Sequence, residues 1–193
     1  MGIEFELKFR IDGESMEALA AEMGEPHLLD METAYYDTPD GALSRRRSTL
    51  RRRLESGKSV CTLKTPAGPS ARNEWEVECD TIEAAIPMLC KLGAPEALPE
   101  VVAEGLVQTC GARFRRRFWR VSFHGALLEL ALDRGVLLGG GRQAPLQELE
   151  IELKSGSREA AISYASLLTA RYRLEPEPKS KFRRALELAG EVR

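Results

Sequence analysis

The sequence predicts an α+β fold in which an antiparallel sheet curls or closes and helices pack on it. Many segments alternate charged and apolar residues with a period of two, which is typical of half-buried strands. The gaps between these segments are of hairpin length, and there is no regular strand–helix alternation of the kind that a parallel sheet requires. The few helical segments are amphipathic and need an apolar sheet face to pack on.

The predicted elements follow from local signals along the chain. Helices are expected over 15–23, where Ser15 is a suitable N-cap, over 81–92 between Thr81 and Gly93, over 157–172 and over 182–189. Asp, Pro and Gly in YYDTPDG predict a turn, and three consecutive glycines over 139–141 predict a hairpin turn. The extended segments are 3–10, 28–36, 49–54, 59–65, 73–79, 106–108, 114–123, 126–133, 136–138 and 146–153.

Length and composition indicate one globular domain over residues 1–193. The chain has 193 residues, of which 43% are hydrophobic and 30% charged, so it can bury a sizeable core. The formal net charge of −2 does not favour a nucleic-acid partner. No segment reaches the roughly 18 consecutive apolar residues of a membrane span. We therefore expect neither nucleic acid nor membrane as a partner.

Cysteine and histidine usage excludes several kinds of site. The four cysteines, Cys61, Cys79, Cys90 and Cys110, form no C-x-x-C pair, which argues against a structural zinc site. Scattered thiols and an amphipathic beginning without a signal-peptide core predict a cytoplasmic protein. The two histidines are isolated, so a histidine metal cluster is not expected.

The opening strand places acids and bases on one face. Glu4, Glu6, Lys8 and Arg10 share one parity, and apolar residues occupy the other. A solvated outer face is the ordinary explanation for such a strand. The alternative is that this face points into the inside of a curled sheet, opposite other charged strands.

The same pattern recurs in six later segments, and the charges are sorted by strand. A solvated surface more often mixes signs, so the sorting favours charged faces that point at one another. A wall of arginine and lysine suits a polyanion, and nearby carboxylates suit Mg²⁺ or Mn²⁺. A soluble sandwich with a charged exterior is the alternative. The residues sharing a face are Arg51 and Arg53; Thr62 and Lys64; Glu74, Glu76 and Glu78; Arg113, Arg115 and Arg117; Glu129 and Asp133; and Glu148, Glu150 and Glu152.

Several motifs, in order, resemble the CYTH superfamily, also called triphosphate tunnel metalloenzymes. They are the E-x-E-x-K of residues 4–8, YYDTPDGALSRRRSTLRRRLE, CTLK, RNEWEVE, ELALDRG, ELEIELK and SKFRRAL. The residues of these motifs are most similar to those of bacterial inorganic triphosphatases. The resemblance implies a closed eight-stranded antiparallel β-barrel, or tunnel, with helices packed on the outside.

The resemblance also implies roles for individual residues. Metal-binding acids that hold Mg²⁺ or Mn²⁺ would be Glu4, Glu6, Glu150 and Glu152. Tunnel acids that could hold a second metal would be Glu74, Glu76, Glu129, Asp133 and Glu148. Triphosphate-binding cations would be Lys8, Arg51, Arg53, Lys64, Arg115, Arg117 and Lys181, with Arg72 and Arg183 as further candidates. A shift of one residue would replace Arg115 and Arg117 by Arg116, and any single glutamate could instead form a structural ion pair.

We therefore expect metal-dependent hydrolysis of a triphosphate inside a charged tunnel. Aromatic residues make up only 6% of the chain, and Trp75 and Trp119 lie on the apolar parity, so inorganic triphosphate is favoured because it has no organic part to recognise. A class IV adenylate cyclase and a thiamine triphosphatase are enzymatic alternatives. A non-catalytic polyphosphate-binding module is an alternative that would not need the acids. A homodimer is compatible with the sequence.

Overall fold

The computed structural model describes residues 5–67 and 72–190, which form one nine-stranded antiparallel sheet and six helices. The strand order is β5-β4-β3-β2-β6-β7-β8-β1-β9. The strands are β1 Glu6–Arg10, β2 His27–Asp37, β3 Thr49–Glu55, β4 Lys58–Pro66, β5 Arg72–Glu78, β6 Val107–Phe123, β7 Ala126–Gly139, β8 Arg142–Ser155 and β9 Glu175–Pro176. The helices are α1 Gly13–Met23, α2 Ala42–Arg45, α3 Ile82–Lys91, α4 Leu98–Val101, α5 Arg158–Tyr172 and α6 Lys181–Ala189.

The expected closed eight-stranded barrel is wrong, because the sheet has nine strands and is open. Over the described residues, β5 and β9 are the two edges and do not pair with each other. Closure would require β5 to pair with the free edge of β1. Instead β9 takes part of that edge, with Pro176 opposite Phe9 and Glu175 opposite Arg10. Because proline has no N–H to donate, β9 is well suited to be the last strand of the sheet.

One face of the sheet is apolar and is covered by α1, α3 and α5. Under α1 and α5 the core includes Leu130, Ile151 and Trp119, all buried. Under α3 it includes Leu63 and Trp75. The expectation that both tryptophans belong to the core is therefore confirmed.

Helix α6 packs on the opposite face, so the expectation that all helices lie on the outside is wrong for this helix. Ala185 and Leu186 of α6 join a cluster with Tyr35, Phe114 and other residues of β2, β6, β7 and β8. The approach is close because Gly139 has no side chain: a Cβ there would lie 2.2 Å from the carbonyl oxygen of Ala185. Glycine at this position therefore allows a helix to lie directly on the sheet.

Element boundaries differ from the sequence prediction at two kinds of position. Helix α1 begins earlier than expected, because Asp12 is the N-cap and accepts a hydrogen bond from the backbone N–H of Ser15 at 2.8 Å. The segments predicted separately over 106–108 and 114–123, and over 126–133 and 136–138, merge into the long strands β6 and β7. Gly135 interrupts the apolar pattern of β7, yet the sheet needs it because a Cβ would lie 2.1 Å from the Arg113 carbonyl oxygen.

Among the helices that the structure describes, none has the length and apolar character that crossing a bilayer requires.

Candidate functional site

Strand register collects the charged residues on the face that α6 partly covers, which we call the charged face. On β8, Glu148 lies opposite Asp133 of β7 and Arg10 of β1. Two residues further, Glu150 lies opposite Ala131 and Lys8, and Glu152 lies opposite Glu129 and Glu6. Because side chains two residues apart share a face, these three rows are neighbours on one surface.

Three carboxylates and two cations form a buried cluster, which we call the acid centre: Asp133, Glu148, Glu150, Arg116 and Lys181. One carboxylate oxygen from each acid lies within 4.8 Å of the others. Lys181 Nζ lies 2.8 Å from Asp133 Oδ2 and 2.6 Å from Glu150 Oε1, and it also contacts Glu148. Arg116 donates two hydrogen bonds to Asp133, at 2.7 and 2.8 Å, and also contacts Glu150. The acids are therefore neutralised by cations from β6 and α6.

Burial and the neighbouring opposite charges shift the pKa values of the acid centre in opposite directions. Burial raises the pKa of Glu148 to about 7, although Lys181 opposes the rise. Burial would also raise the pKa of Glu150, but Lys181 and Arg116 hold that pKa well below its ordinary value. Burial disfavours the Lys181 ammonium, yet Asp133, Glu150 and Glu148 together hold its pKa well above the ordinary value. The neighbouring charges therefore stabilise the ionised forms of Glu150 and Lys181, whereas burial stabilises the neutral form of Glu148.

Further ion pairs around the buried carboxylate of Glu177 connect α6 to the sheet, and the sequence analysis did not predict them. Arg184 Nη1 lies 2.9 Å from Glu148 Oε2 and 3.1 Å from Glu177 Oε2. Arg10 Nε donates to the same Glu177 oxygen at 2.7 Å. Lys181 and Arg184 are three residues apart and so share one helix face, which is the sequence signal that could have identified Arg184.

A row of acids beside the acid centre contains more of the predicted metal ligands. Lys8 Nζ lies 3.2 Å from Glu6 Oε1, and Lys154 Nζ lies 2.6 Å from Glu152 Oε2 and 3.6 Å from Glu129 Oε1. The structure thus brings Glu6, Glu129 and Glu152 together one row away from Glu150. Glu4 was also predicted as a ligand and lies outside the described residues.

The other end of the charged face, which we call the basic half, consists of Arg51, Arg53, Lys64, Glu74 and Glu76. Its ion pairs are uneven: Lys64 Nζ lies 3.2 Å from Glu74, Arg51 Nη2 3.8 Å from Glu74 and Arg53 Nη2 3.9 Å from Glu76. Arg53 also contacts Glu55 closely. The Nε atoms of Arg51 and Arg53 are buried without a hydrogen-bond partner. Burial lowers the pKa of Arg53, and the neighbouring Arg51 lowers it further. Two adjacent guanidinium groups whose Nε–H donors have no acceptor are suited to a multivalent anion.

Tyr35 joins the two regions and was not singled out from the sequence, where it reads as the flank of a turn. It is 4% exposed, lies opposite Arg51 on β3, and its ring centroid is 5.0 Å from that of Phe182 on α6. Burial raises the pKa of its hydroxyl, while Arg51 and Lys181 both oppose this rise. The Tyr35 ring therefore lies between Arg51 of the basic half and Lys181 of the acid centre.

The assignment of Arg115 and Arg117 to the charged face is wrong. Both lie on the opposite face, where Arg115 Nε lies 2.8 Å from Asp30 and Arg117 Nη1 lies 2.7 Å from Glu17 of α1. Arg116 is the arginine of β6 that faces the acids. Arginines occupy both parities over 113–117, so periodicity alone could not choose between them.

The two further candidates, Arg72 and Arg183, line a cavity of about 470 Å³ at one end of the charged face. Lys8 lies in the same wall. These residues are therefore near the predicted site, but not in the acid centre.

The donor set of the acid centre fits a hard divalent cation. All three acids offer carboxylate oxygen, the ligand that Mg²⁺ and Mn²⁺ prefer. Glu148 Oε2 is buried, and although it lies 2.9 Å from Arg184 it accepts no hydrogen bond. A buried oxygen with unused acceptor capacity is what a metal ligand needs.

Comparison with known proteins identifies the family. The profile of the CYTH domain matches residues 2–186. The chain belongs to the CYTH domain family. A curated CYTH relative, the inorganic triphosphatase of Haemophilus influenzae, is 30% identical over 138 residues, which is 69% of this chain and 39% of that protein. The alignment therefore spans well under half of the relative.

Solved structures share the fold of this CYTH protein. A Hippeastrum protein with a dominant triphosphatase activity superimposes with a TM-score of 0.69 at 20% identity, covering 98% of this chain and 97% of that one. A protein of Pyrococcus horikoshii gives 0.62 at 20% identity, with coverages of 95% and 99%. A proposed adenylate cyclase of Bacillus halodurans gives 0.61 at 19% identity, with coverages of 92% and 94%.

Proposed function

We propose that this protein hydrolyses a triphosphate in a divalent-metal-dependent reaction, with inorganic triphosphate as substrate and pyrophosphate and phosphate as products. The observation that carries the proposal is the division of the charged face into an acid centre and a basic half in which the Nε atoms of two arginines have no hydrogen-bond partner. The Haemophilus relative, an inorganic triphosphatase, supports it.

The basic half would bind the phosphate chain. Arg51 and Arg53 present buried Nε–H groups with no acceptor, and Lys64 adds a point charge from the neighbouring strand. Guanidinium groups bind phosphate oxygens through paired, charge-assisted hydrogen bonds. The same phosphate chain would be contacted from the acid-centre side by Lys8, Arg116 and Lys181.

The acid centre and the adjacent row would hold Mg²⁺ or Mn²⁺. Asp133, Glu148 and Glu150 supply one group of oxygens, and Glu6 and Glu152 supply others. When bound, the metal supplies Lewis-acid polarisation of phosphate oxygen and lowers the pKa of a coordinated water.

The chain itself would contribute positioning and charge stabilisation. Phosphoryl transfer needs little covalent chemistry from the protein, because charge builds up on the transferred group and on the leaving pyrophosphate. Arg51, Arg53 and Lys64 are fixed on strands, so they are oriented before that charge develops. Their role is to lower the barrier and to retain the pyrophosphate until it leaves.

The side chains around the site favour a substrate without an organic part. Trp75 and Trp119 are buried on the opposite face and cannot stack on a base or a thiamine ring. Nucleotide cyclisation is the alternative reaction, and the proposed cyclase of Bacillus halodurans shares only the fold.

The decisive experiment measures phosphate release from inorganic triphosphate, ATP and thiamine triphosphate, each with Mg²⁺, with Mn²⁺ and with EDTA. We expect fast, EDTA-sensitive release from inorganic triphosphate and no cyclic AMP from ATP. Cyclic AMP formation would establish the cyclase instead. Tight triphosphate binding by calorimetry with no hydrolysis of any substrate would establish a non-catalytic polyphosphate-binding module.

We further infer a cytoplasmic location, because Cys61, Cys79, Cys90 and Cys110 are all free thiols, as a reducing compartment would keep them. A homodimer would be tested by light scattering on the purified protein.

A further inference from the structure

Helix α5 carries apolar side chains on the side that faces solvent as well as on the side that faces the sheet. Its inner side packs into the core through buried residues such as Ala161 and Leu168. On its solvent side Ile162 is 50% exposed and Leu167 is 58% exposed. A surface helix of a globular protein normally turns charged and polar residues to water, so two large apolar side chains on this side indicate a surface that another molecule covers.

The exposed residues of α5 form a continuous surface along the helix, which we call the α5 outer face. Its members recur at helical spacing and are all exposed: Glu159, Ile162, Ser163, Ser166, Leu167, Ala170 and Arg173. At 3.6 residues per turn, Ser166 and Ala170 lie along its middle, and Ile162 and Leu167 lie on its two sides. The short side chains in the middle allow a second helix to approach closely, and the larger ones on the sides would pack against it.

The two ends of the α5 outer face carry opposite charges that are not paired within the described residues. Glu159 lies in the first turn of α5, and Arg173 is the C-cap residue. Neither forms an ion pair or a side-chain hydrogen bond with any residue that the structure describes. Arg171, at the same end of the helix, does pair with Glu22 of α1. The α5 outer face therefore offers one acid and one base to a partner.

These features are arranged symmetrically about Ser166. Glu159 precedes it by seven residues and Arg173 follows it by seven, which is about 10.5 Å along the helix in each direction. Two antiparallel copies of α5, related by a two-fold axis at Ser166, would therefore bring each Glu159 beside the partner's Arg173. Because the two-fold exchanges the sides of the face, Ile162 would pack on the partner's Leu167. Such self-complementarity is what a two-fold dimer interface requires.

We propose that the α5 outer face is a homodimer interface, in which two α5 helices pack antiparallel and Glu159 pairs with the partner's Arg173. A contact between two single helices is small beside the roughly 1,200 Å² that stable complexes bury, so the dimer is expected to form reversibly as the protein concentration rises. Dimerisation through this face is independent of the proposed function, because α5 packs on the apolar face of the sheet, opposite the charged face.

Charge reversal at the two ends of the α5 outer face tests this interface. Sedimentation of the unmodified chain, from low-micromolar to near-millimolar concentration, should show a reversible monomer–dimer equilibrium. Glu159→Arg alone and Arg173→Glu alone each replace both attractive contacts of the dimer by repulsive ones, so the dimer Kd should rise about tenfold. The double variant restores opposite charges across the two-fold axis, so its Kd should return to within about threefold of the unmodified value.

Two further variants separate the interface from general effects of mutation. Glu83→Arg is the matched control, because Glu83 is also an exposed acid in the first turn of a helix, α3, and lies outside the α5 outer face. Its dimer Kd should stay within about twofold of the unmodified value. Leu167→Ser removes the apolar contact and should raise the dimer Kd at least about tenfold. Urea unfolding should show that this variant remains folded, since Leu167 is mainly exposed.

The outcomes are distinct from those that test the proposed function. A chain that stays monomeric over the whole concentration range would overturn the interface, as would a dimer Kd that neither single reversal changes. Failure of the double variant to recover would also overturn it, because the two ends would then not meet. Phosphate release from inorganic triphosphate should be the same in all these variants, and its absence in the unmodified protein would overturn the proposed function while leaving the sedimentation results unaffected.

Discussion

The acid centre and the basic half lie on the same face of one sheet, yet their charges are satisfied differently. In the acid centre Lys181 contacts three carboxylates, and Arg116 pairs with Asp133 through two hydrogen bonds. In the basic half Arg53 contacts Glu55, but the other arginine ion pairs are 3.8 and 3.9 Å long and two arginine Nε atoms have no hydrogen-bond partner. The difference indicates that the acid centre, besides its proposed role in binding, contributes to holding the fold together, whereas the arginines of the basic half keep hydrogen-bonding capacity for a ligand.

Removing the cation at the middle of the acid centre should have the largest effect. Lys181→Met leaves Asp133, Glu148 and Glu150 buried without their shared ammonium, so we expect a loss of about 3–5 kcal/mol in the free energy of unfolding. Urea unfolding measures it. Lys179→Met is the control, since Lys179 is an exposed partner of Glu187 and should change stability by less than about 1 kcal/mol. Similar small losses in both variants would show that the centre is not structural.

Protonation of Glu148 should give the acid centre a pH dependence of its own. Its pKa in the folded protein is about 7, against an ordinary 4.5, so between these values the folded state binds the proton more strongly than the unfolded state does. The contribution of Glu148 to stability is therefore largest below about pH 4.5 and declines as the pH rises through 7, with a slope of about 1 kcal/mol per pH unit. Comparison of unfolding free energies of the unmodified protein and Glu148→Gln from pH 5 to 8 should isolate this slope. An identical pH profile in both proteins would contradict the assignment.

In the basic half we expect a larger change in ligand binding than in stability. Arg53→Ala removes a guanidinium whose charge is disfavoured by burial and by Arg51, together with its contacts to Glu55 and Glu76, so the free energy of unfolding should fall by less than in Lys181→Met. The KM for triphosphate should rise about 10- to 100-fold, because a charge-assisted hydrogen bond to phosphate is lost. Arg52→Ala is the matched control on the opposite face of β3, where Arg52 donates to Ser59. Equal KM values in the two variants would remove Arg53 from the site.

How far the sequence predicts this arrangement depends on how clearly each strand alternates. The parities of β1, β3, β4, β5, β7 and β8 are clear, and every acid and cation predicted on them lies on the charged face where the structure describes it. In β6 both parities carry arginine, so Arg116 could not be chosen over Arg115. The open edge, the packing of α6 on the charged face and the buried Glu177 depend on contacts between distant segments, which periodicity does not report.

The smallest effect is expected for Arg115, which the sequence analysis wrongly placed on the charged face. Arg115→Gln breaks an ion pair whose two side chains are 64% and 71% exposed, so stability should change by less than about 1 kcal/mol. The triphosphate KM should stay within about twofold of the unmodified value, because Arg115 lies away from the charged face. Arg116→Gln, one residue along the strand, should lose both stability and activity. If Arg115→Gln raised the KM as strongly as Arg53→Ala, the two faces would not be functionally distinct.

The dependence of the acid centre on Lys181 also has a consequence for how the protein is made. Asp133, Glu148 and Glu150 leave the ribosome before Lys181, so for part of synthesis three carboxylates face one another with Arg116 as their nearest cation. Until α6 emerges, burying these carboxylates without Lys181 would be unfavourable, so they are expected to remain in water. The middle of the sheet is therefore expected to become compact late, after Lys181 has been synthesised.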